Sequence, residues 1–384
     1  MILRNDSYYE NHNGKYLMIT AIIIFLLLFL SGTGFIKKSE AAENDNTQAV
    51  HIFYYSWYGN PEVDGSYFHW NSSSQNAEGE RDKHYPGGDD IGANFYPQLG
   101  CYSSNDEKIL ETHMQELNRA NVSVISISWW GIGTFEDKTI PRILDAANRY
   151  SIKVNIHIEP IGTKTADVIR ESIIYCIDKY GSHPAFYRDS RYGNRPLFYV
   201  FLPNMKYPED WAELLKPGGS KTIRGTKYDA LVINHWAYGR DQGQKIIDSG
   251  FDGFYTYFVS DQTSTANPDR WRELAEYARE NNLLFIPCVG PGYDDTRIRR
   301  GNQNLIKERD GSRYYDKMFQ AAIDVKPQFI AITSFNEWHE GTMIEPAVPK
   351  SIRGYKYEDY GSKDPDFYLD RTRFWVEKYL DTIR

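Results

Sequence analysis

Cysteine is scarce. The 384 residues contain three, Cys101, Cys176 and Cys288. An odd number at wide spacing excludes a disulfide framework and a zinc-ligand cluster. Cys176 lies in an amphipathic stretch and Cys288 follows an apolar run, so both read as packed thiols rather than nucleophiles. Basic charge is also in deficit: 44 Lys and Arg against 52 Asp and Glu give a net charge of −8. That balance argues against a nucleic-acid partner, which would require a basic face. There is no tandem repeat of solenoid period. No glycine-rich phosphate fingerprint follows the first strand-like run, which reads FYYSWYGNP from Phe53 to Pro61. Asp294 and Asp295 follow Gly290-Pro291-Gly292, but the alternating ligand spacing of a calcium loop is missing.

What the chain has in quantity is aromatic side chains: 30 Tyr, 19 Phe and 9 Trp, 15% of the sequence. Some fill a large core. Others suit carbohydrate, because sugars expose C–H faces that stack on rings, and tyrosine adds a hydroxyl. One long apolar run exists, Tyr16 to Ile36, with its centre at Ile19–Leu30. Its length of roughly 20 residues fits the hydrocarbon thickness of a bilayer. A cleaved signal peptide, ending at the Ser31-Gly32-Thr33-Gly34 run, competes with an uncleaved anchor; the anchor is the reading taken. The expected order is a short cytosolic tail (1–15), a transmembrane signal-anchor (16–36), a polar stem (37–48) and a catalytic domain (49–384). Asn71-Ser72-Ser73 and Asn121-Val122-Ser123 carry the N-glycan acceptor pattern.

From Ala49 onward, β-like runs alternate with amphipathic segments. Strands are expected near Val50–Ser56, Ser123–Trp129, Lys153–Glu159, Pro196–Phe201, Ala230–His235, Gly253–Phe258, Leu283–Val289 and Phe329–Thr333. Helical periodicity marks Glu107–Ala120, Lys138–Tyr150, Lys164–Tyr180, Asp269–Asn281 and Ser312–Val325. Eight buried strands alternating with helices predict an α/β fold, a single (β/α)8 TIM barrel, with an open doubly wound sheet as the alternative. In such a barrel the chemistry sits at the C-terminal strand ends. There the sequence delivers Tyr54, Tyr55 and Trp57, then Trp129-Trp130, then His157 and Glu159, then Asn234-His235-Trp236, then Tyr255 and Tyr257, and finally Asn336, Glu337 and Glu340.

The most pointed signal is SFNEWHEGTMIEP, Ser334 to Pro346. Two glutamates, Glu337 and Glu340, follow an apolar strand. Paired carboxyls serve glycosidic chemistry: one protonates the leaving oxygen, the other manages the charge that develops at the sugar. On a strand, the i, i+3 pair would face opposite ways; on a helical turn the two share a face. The strand must therefore end by about Asn336. His339 is left outside the expected site, Glu345 is read as fixing the turn, and Arg297–Arg300 is read as a solvated or rim cluster.

FYYSWYGNP, DGSYFHWN, IGANFYPQLGCYSS, SWWG, IHIEP, YGSHPAFYR, GFDGFYTYF and SFNEWHEGTMIEP together resemble glycoside hydrolase family 99, from Val50 to the DFYLDRTRFW region near the C-terminus. That family comprises endo-α-1,2-mannosidases acting on glucosylated N-glycans. The resemblance implies a (β/α)8 barrel, no metal and no cofactor, and cleavage with retention that releases a glucose-capped mannose. It also implies that the substrate's own 2-hydroxyl attacks the anomeric carbon to give a 1,2-anhydro sugar. Glu337 would be the base on that hydroxyl, and Glu340 the acid and then the base for water. His157 and Glu159 match a sugar-binding pair, Trp129 a platform ring and Tyr255 a tyrosine near the reacting sugar; Tyr192 and Asn336 are looser matches, and Tyr55 and Trp57 complete the expected cleft. The implied partners are glucosylated high-mannose N-glycans and a membrane, with the chain a Golgi single-pass type II protein whose catalytic domain is lumenal. A hydrolase of another α-mannan and an inactive lectin-like binder are the alternatives.

Overall fold

The computed structural model describes residues 46–160, 162, 165–237, 239, 241–260 and 265–383. The segment expected to be tail, anchor and most of the stem lies outside them. Among the described residues, no helix is long and apolar enough to cross a membrane.

The strands, in chain order, are β1 (Val50–Tyr54), β2 (Ser72–Gln75), β3 (Arg81–Tyr85), β4 (Val124–Trp129), β5 (Lys153–Ile158), β6 (Leu197–Val200), β7 (Leu231–His235), β8 (Gly253–Tyr255), β9 (Leu284–Ile286), β10 (Cys288–Val289), β11 (Ile330–Ile332), β12 (Ser351–Ile352) and β13 (Tyr355–Lys356). The helices are α1 (Pro61–Asp64), α2 (Glu107–Arg119), α3 (Phe135–Arg149), α4 (Ala166–Tyr180), α5 (Pro208–Leu215), α6 (Gln242–Ser249), α7 (Trp271–Glu280), α8 (Arg313–Asp324) and α9 (Phe367–Ile383).

The main sheet is parallel, in the order β10-β11-β1-β4-β5-β6-β7-β8-β9. β9 and β10 are two halves of one strand, interrupted at Pro287, which has no N–H to give to a ladder. The first half pairs with β8 and the second with β11, so the sheet closes on itself as an eight-stranded barrel. Each expected strand is present, shortened at its ends. The five expected helices are present too, as α2, α3, α4, α7 and α8.

Two-residue alternation decides what fills the barrel. From β1, His51, Phe53 and then Tyr55 point inward. His51 Nδ1 meets the Tyr199 hydroxyl at 2.8 Å, and Phe53 packs against His157, Tyr199 and Tyr255. Tyr54 points outward, to α2. That helix buries Leu110, His113, Met114 and Leu117, an i, i+3, i+4, i+7 stripe that lies on the barrel. Asp106 caps its first turn by accepting from the Lys108 N–H at 2.9 Å. α9 packs on α2 and α8, with Trp375 stacked parallel to Phe319 at 5.8 Å.

All three cysteines are free. Burial pushes the Cys101 and Cys288 thiols up to about 12, and the Cys176 thiol well above its usual value. Thiols that stay protonated are poor nucleophiles.

Candidate active site

β11 ends at Ile332, and the chain then turns through a single 3-10 turn, Trp338–Glu340, with Glu337 at its N-cap and Gly341 in the left-handed region at its end. In a 3-10 turn, side chains at i and i+3 eclipse. Glu337 and Glu340 therefore face one cleft at the C-terminal rim. Glu337 Oε1 accepts from the His339 N–H at 3.1 Å, and the Glu337 N–H donates to Ser334 Oγ at 2.8 Å, which fixes the start of the turn.

The cleft is about 360 Å³ and also receives Tyr55, Trp57, Trp130, Glu159, Phe201 and Tyr257 from the strand ends. Two longer loops add the rest: His69 with the start of the β2–β3 hairpin (Asn71, Ser72, Ser73), and Ile298 with Arg299. His69 stacks on Trp57 at 3.8 Å, and His339 lies edge-on to His69 at 4.9 Å. The hydroxyls of Tyr55 and Tyr257 are hydrogen-bonded to each other. Burial and the nearby Glu159, Glu337 and Glu340 push both phenols well above their usual range, so they remain O–H groups able to donate to a sugar.

Burial raises both acids of the turn. Glu337 is pushed well above the ordinary carboxylate value by burial and then by the charge of Glu340. Glu340 is raised by burial but drawn back by Arg299, whose Nη1 lies 3.4 Å from its Oε1. A negative charge on one of them opposes ionisation of the other. Burial lowers His69 well below its usual value and, with Arg299, lowers His339 to about 4. Both imidazoles are neutral at physiological pH.

The structure places some expected site residues elsewhere. Trp129 faces away from the cleft: its Nε1 donates to Asp137 Oδ1 at 3.0 Å and its ring stacks on Tyr175 at 5.9 Å, both on the outer helices. Ser128 sets the parity of β4, since its hydroxyl reaches inward to Glu159 at 2.8 Å. Trp130, two residues on from the inward Ser126–Ser128 series, shares that side, donating to Ser128 Oγ at 3.1 Å. The ring that faces the cleft is therefore Trp130, 39% exposed at its wall. Tyr192 sits at the opposite rim, because it precedes β6 in the chain; its ring packs on Phe329 at the start of β11.

Three others lie beneath or behind the cleft. His157 is fully buried, with Nε2 at 2.6 Å from the Tyr255 hydroxyl and Nδ1 at 3.2 Å from Glu159. His157 and Tyr255 thus form a floor under Glu159, while Tyr257, two residues beyond Tyr255, reaches the open space. Asn336 is a clamp. It accepts from the Tyr55 N–H and donates to the Tyr55 carbonyl, each at 2.8 Å. Phe201, His69 and His339 are additions that the sequence reading did not place in the site; Trp130 and Tyr257 stood only among the strand-end residues and Arg299 only in a solvated or rim cluster.

A larger cavity, about 570 Å³, opens at the opposite rim near Tyr192. Its acid, Asp252, is held by Arg195 and Arg224, and the paired carboxyls are not there. The paired carboxyls line the smaller cleft.

Comparison with known proteins agrees with this geometry. The glycosyl hydrolase family 99 model matches residues 45–381. The chain belongs to that family. It is 44% identical over 346 residues to a glycoprotein endo-alpha-1,2-mannosidase of Xenopus laevis, covering 86% of this chain and 77% of the relative. It is 42% identical over 349 residues to a human glycoprotein endo-alpha-1,2-mannosidase-like protein, covering 86% and 76%. The structure of the family 99 endo-alpha-mannosidase from Bacteroides thetaiotaomicron superposes with a TM-score of 0.83 at 41% identity, covering 88% of this chain and 98% of that one. As a family 99 member the chain is a glycoside hydrolase.

Proposed function

We propose that the chain is a retaining endo-α-1,2-mannosidase that cuts the internal α-1,2-mannosidic bond of glucosylated high-mannose N-glycans and releases a glucose-capped mannose (Glc1–3Man). The observation that carries the reading is the Glu337–Glu340 turn facing an aromatic cleft in a family 99 barrel. The activity named for the relatives supplies the linkage.

In this reading Glu337 takes the proton from the 2-hydroxyl of the reacting mannose. The 2-oxygen then attacks the anomeric carbon as the glycosidic bond breaks, and Glu340 gives its proton to the leaving oxygen. The product is a 1,2-anhydro sugar. Water, deprotonated by Glu340, opens it at the anomeric carbon, and Glu337 returns its proton to the 2-oxygen. Two inversions give net retention. This cycle begins with Glu337 ionised and Glu340 protonated. Sugar hydroxyls that donate to Glu337 favour that arrangement. Trp130 and Trp57 offer faces for stacking, and Tyr55, Tyr257 and Glu159 supply directed hydrogen bonds.

The proposal includes a single-pass type II placement in the Golgi membrane with the barrel lumenal. The apolar run at Ile19–Leu30 supports it. Protease protection of the barrel in intact vesicles tests it.

The activity is tested by incubating the protein with glucosylated and non-glucosylated high-mannose glycans. Release of a glucosyl-mannose disaccharide or a longer capped fragment is expected. Release of mannose alone would refute endo cleavage, and binding without cleavage would favour a lectin-like role.

A further inference from the structure

Behind the catalytic turn, away from the cleft, lies a fully buried polar cluster that the reaction does not use directly. Glu345 is 0% exposed. Its Oε2 accepts from the Trp338 Nε1–H at 2.9 Å and from the Tyr102 hydroxyl at 2.8 Å. Its Oε1 faces His113 Nε2 at 3.3 Å. His113, also fully buried, meets the Tyr54 hydroxyl through Nδ1 at 2.8 Å. A phenol with a buried imidazole as its partner donates, so Nδ1 accepts, while Nε2 approaches Glu345 Oε1 closely without an aligned hydrogen bond. Tyr102 also receives the Asn336 side-chain N–H at 3.1 Å.

Trp338 is the residue between Glu337 and His339, so its indole leaves the turn on the side opposite the Glu337 carboxyl. Whatever fixes that indole fixes the rotation of the turn about its axis. Apolar packing alone would leave the indole free to slide, whereas a hydrogen bond to a buried carboxylate has a direction and a length. Glu345 is in turn tied to the end of β11, where its N–H donates to the Phe335 carbonyl at 2.9 Å.

We propose that Glu345, held by the Tyr102 hydroxyl and packed against His113 of α2, is a positioning residue that sets the angle of the Glu337–Glu340 turn through the Trp338 indole. The chain of contacts runs from α2 to the turn: Tyr54, His113, Glu345, Trp338. Glu116 of α2 offers a carboxylate oxygen within 4.8 Å of the His113 and Glu345 atoms. Burial and Glu345 push its carboxyl up to about 9, so it is neutral at physiological pH and leaves Glu345 as the acceptor.

Glu345→Leu removes both acceptor oxygens and leaves the Trp338 Nε1–H without its partner. Trp338→Phe keeps the ring and removes the one N–H. The proposal rests on the glycosidase reading for its kinetic arm, so a second arm is independent of turnover. With wild-type cleavage established, each variant is expected to lose about ten- to a hundredfold in kcat with KM changed less than about twofold, as for a group acting only through alignment. The double variant should lose no more than the worse single one. In crystal structures of the variants, the 3.1 Å contact from the His339 N–H to Glu337 should be broken. Wild-type kcat in Trp338→Phe, additive losses, or an unmoved turn in both structures would overturn the proposal. So would a stoichiometric divalent metal in the purified full-length protein, which would make His113, Glu116 and Glu345 its ligands instead. Failure of wild-type cleavage would refute the functional reading and leave the crystallographic arm to decide this one.

Discussion

Arg299 offers one nitrogen, Nη1, to two carboxylates: Asp295 at 2.9 Å and Glu340 at 3.4 Å. Asp295 is fully buried and holds the guanidinium at the cleft edge. Arg299 lowers both Glu337 and Glu340 from values that burial has raised. A cation near an acid favours its ionised form, so removing the cation moves the ionisation to higher pH. Arg299→Gln should shift the acid limb of the kcat/KM profile upward by about one to two pH units. At pH 5 the variant should be far slower than wild type, and the gap should narrow toward pH 8. A pH series on one capped glycan checks this; a uniform loss across the range would show that Arg299 only contacts substrate.

The two tryptophans at the end of β4 separate binding from stability. Trp130→Ala removes an exposed stacking face and should cost about tenfold in kcat/KM with an unchanged melting temperature. Trp129→Ala leaves a hole between β4 and the helices and abandons Asp137. It should cost about 3–5 kcal/mol of stability, measured by denaturant unfolding. If Trp129→Ala is the variant with weakened substrate binding and normal stability, the assignment of faces is wrong.

The barrel was legible because its strands are apolar enough to stand out and α2, α3, α4, α7 and α8 carry 3.6-residue stripes; the 17-residue α9, which also buries one face, was not among the expected helices. The eight-residue α5 and α6 were not, since two turns are too few for a stripe to rise above chance. Site residues on strands could be placed to within a parity. Trp129 and Trp130 are adjacent, and only the contact of Ser128 with Glu159 tells which of them faces inward. Tyr255 and Tyr257 share a face, but depth along a strand is a three-dimensional property. Tyr192 carried a signal that went unused: residues before a barrel strand lie at the N-terminal rim, away from the chemistry. His69 and Arg299 come from loops without period, and only folding brings them to the glutamates. The Glu337–Glu340 pair was the clearest feature, because an i, i+3 spacing on a turn has one geometric meaning.

Tyr192 gives the corresponding negative test. Its ring packs on Phe329 and lies across the barrel from the glutamates. Tyr192→Ala should leave kcat/KM within about twofold of wild type while lowering the melting temperature by loss of packing. Steady-state kinetics beside a thermal scan measures both; a selective loss of substrate affinity would return Tyr192 to the site.

Glu116 makes stability depend on pH in an unusual direction. Its carboxyl is raised to about 9 by burial first, then by Glu345 and Asp366, against a pull downward from Arg119. In the unfolded chain it titrates near 4.5. Between those values the folded state holds a proton that the unfolded state has released, so the folded state binds more protons and stability falls as pH rises. The loss begins near pH 4.5 and levels off above about pH 9. Glu116→Gln keeps the neutral shape without the ionisation and should flatten that decline. The variant should therefore match wild type in melting temperature at pH 4.5 and exceed it at pH 8, with the difference growing steadily between. Equal slopes for the two proteins would mean that Glu116 is ionised in the fold, with a water or a cation beside it.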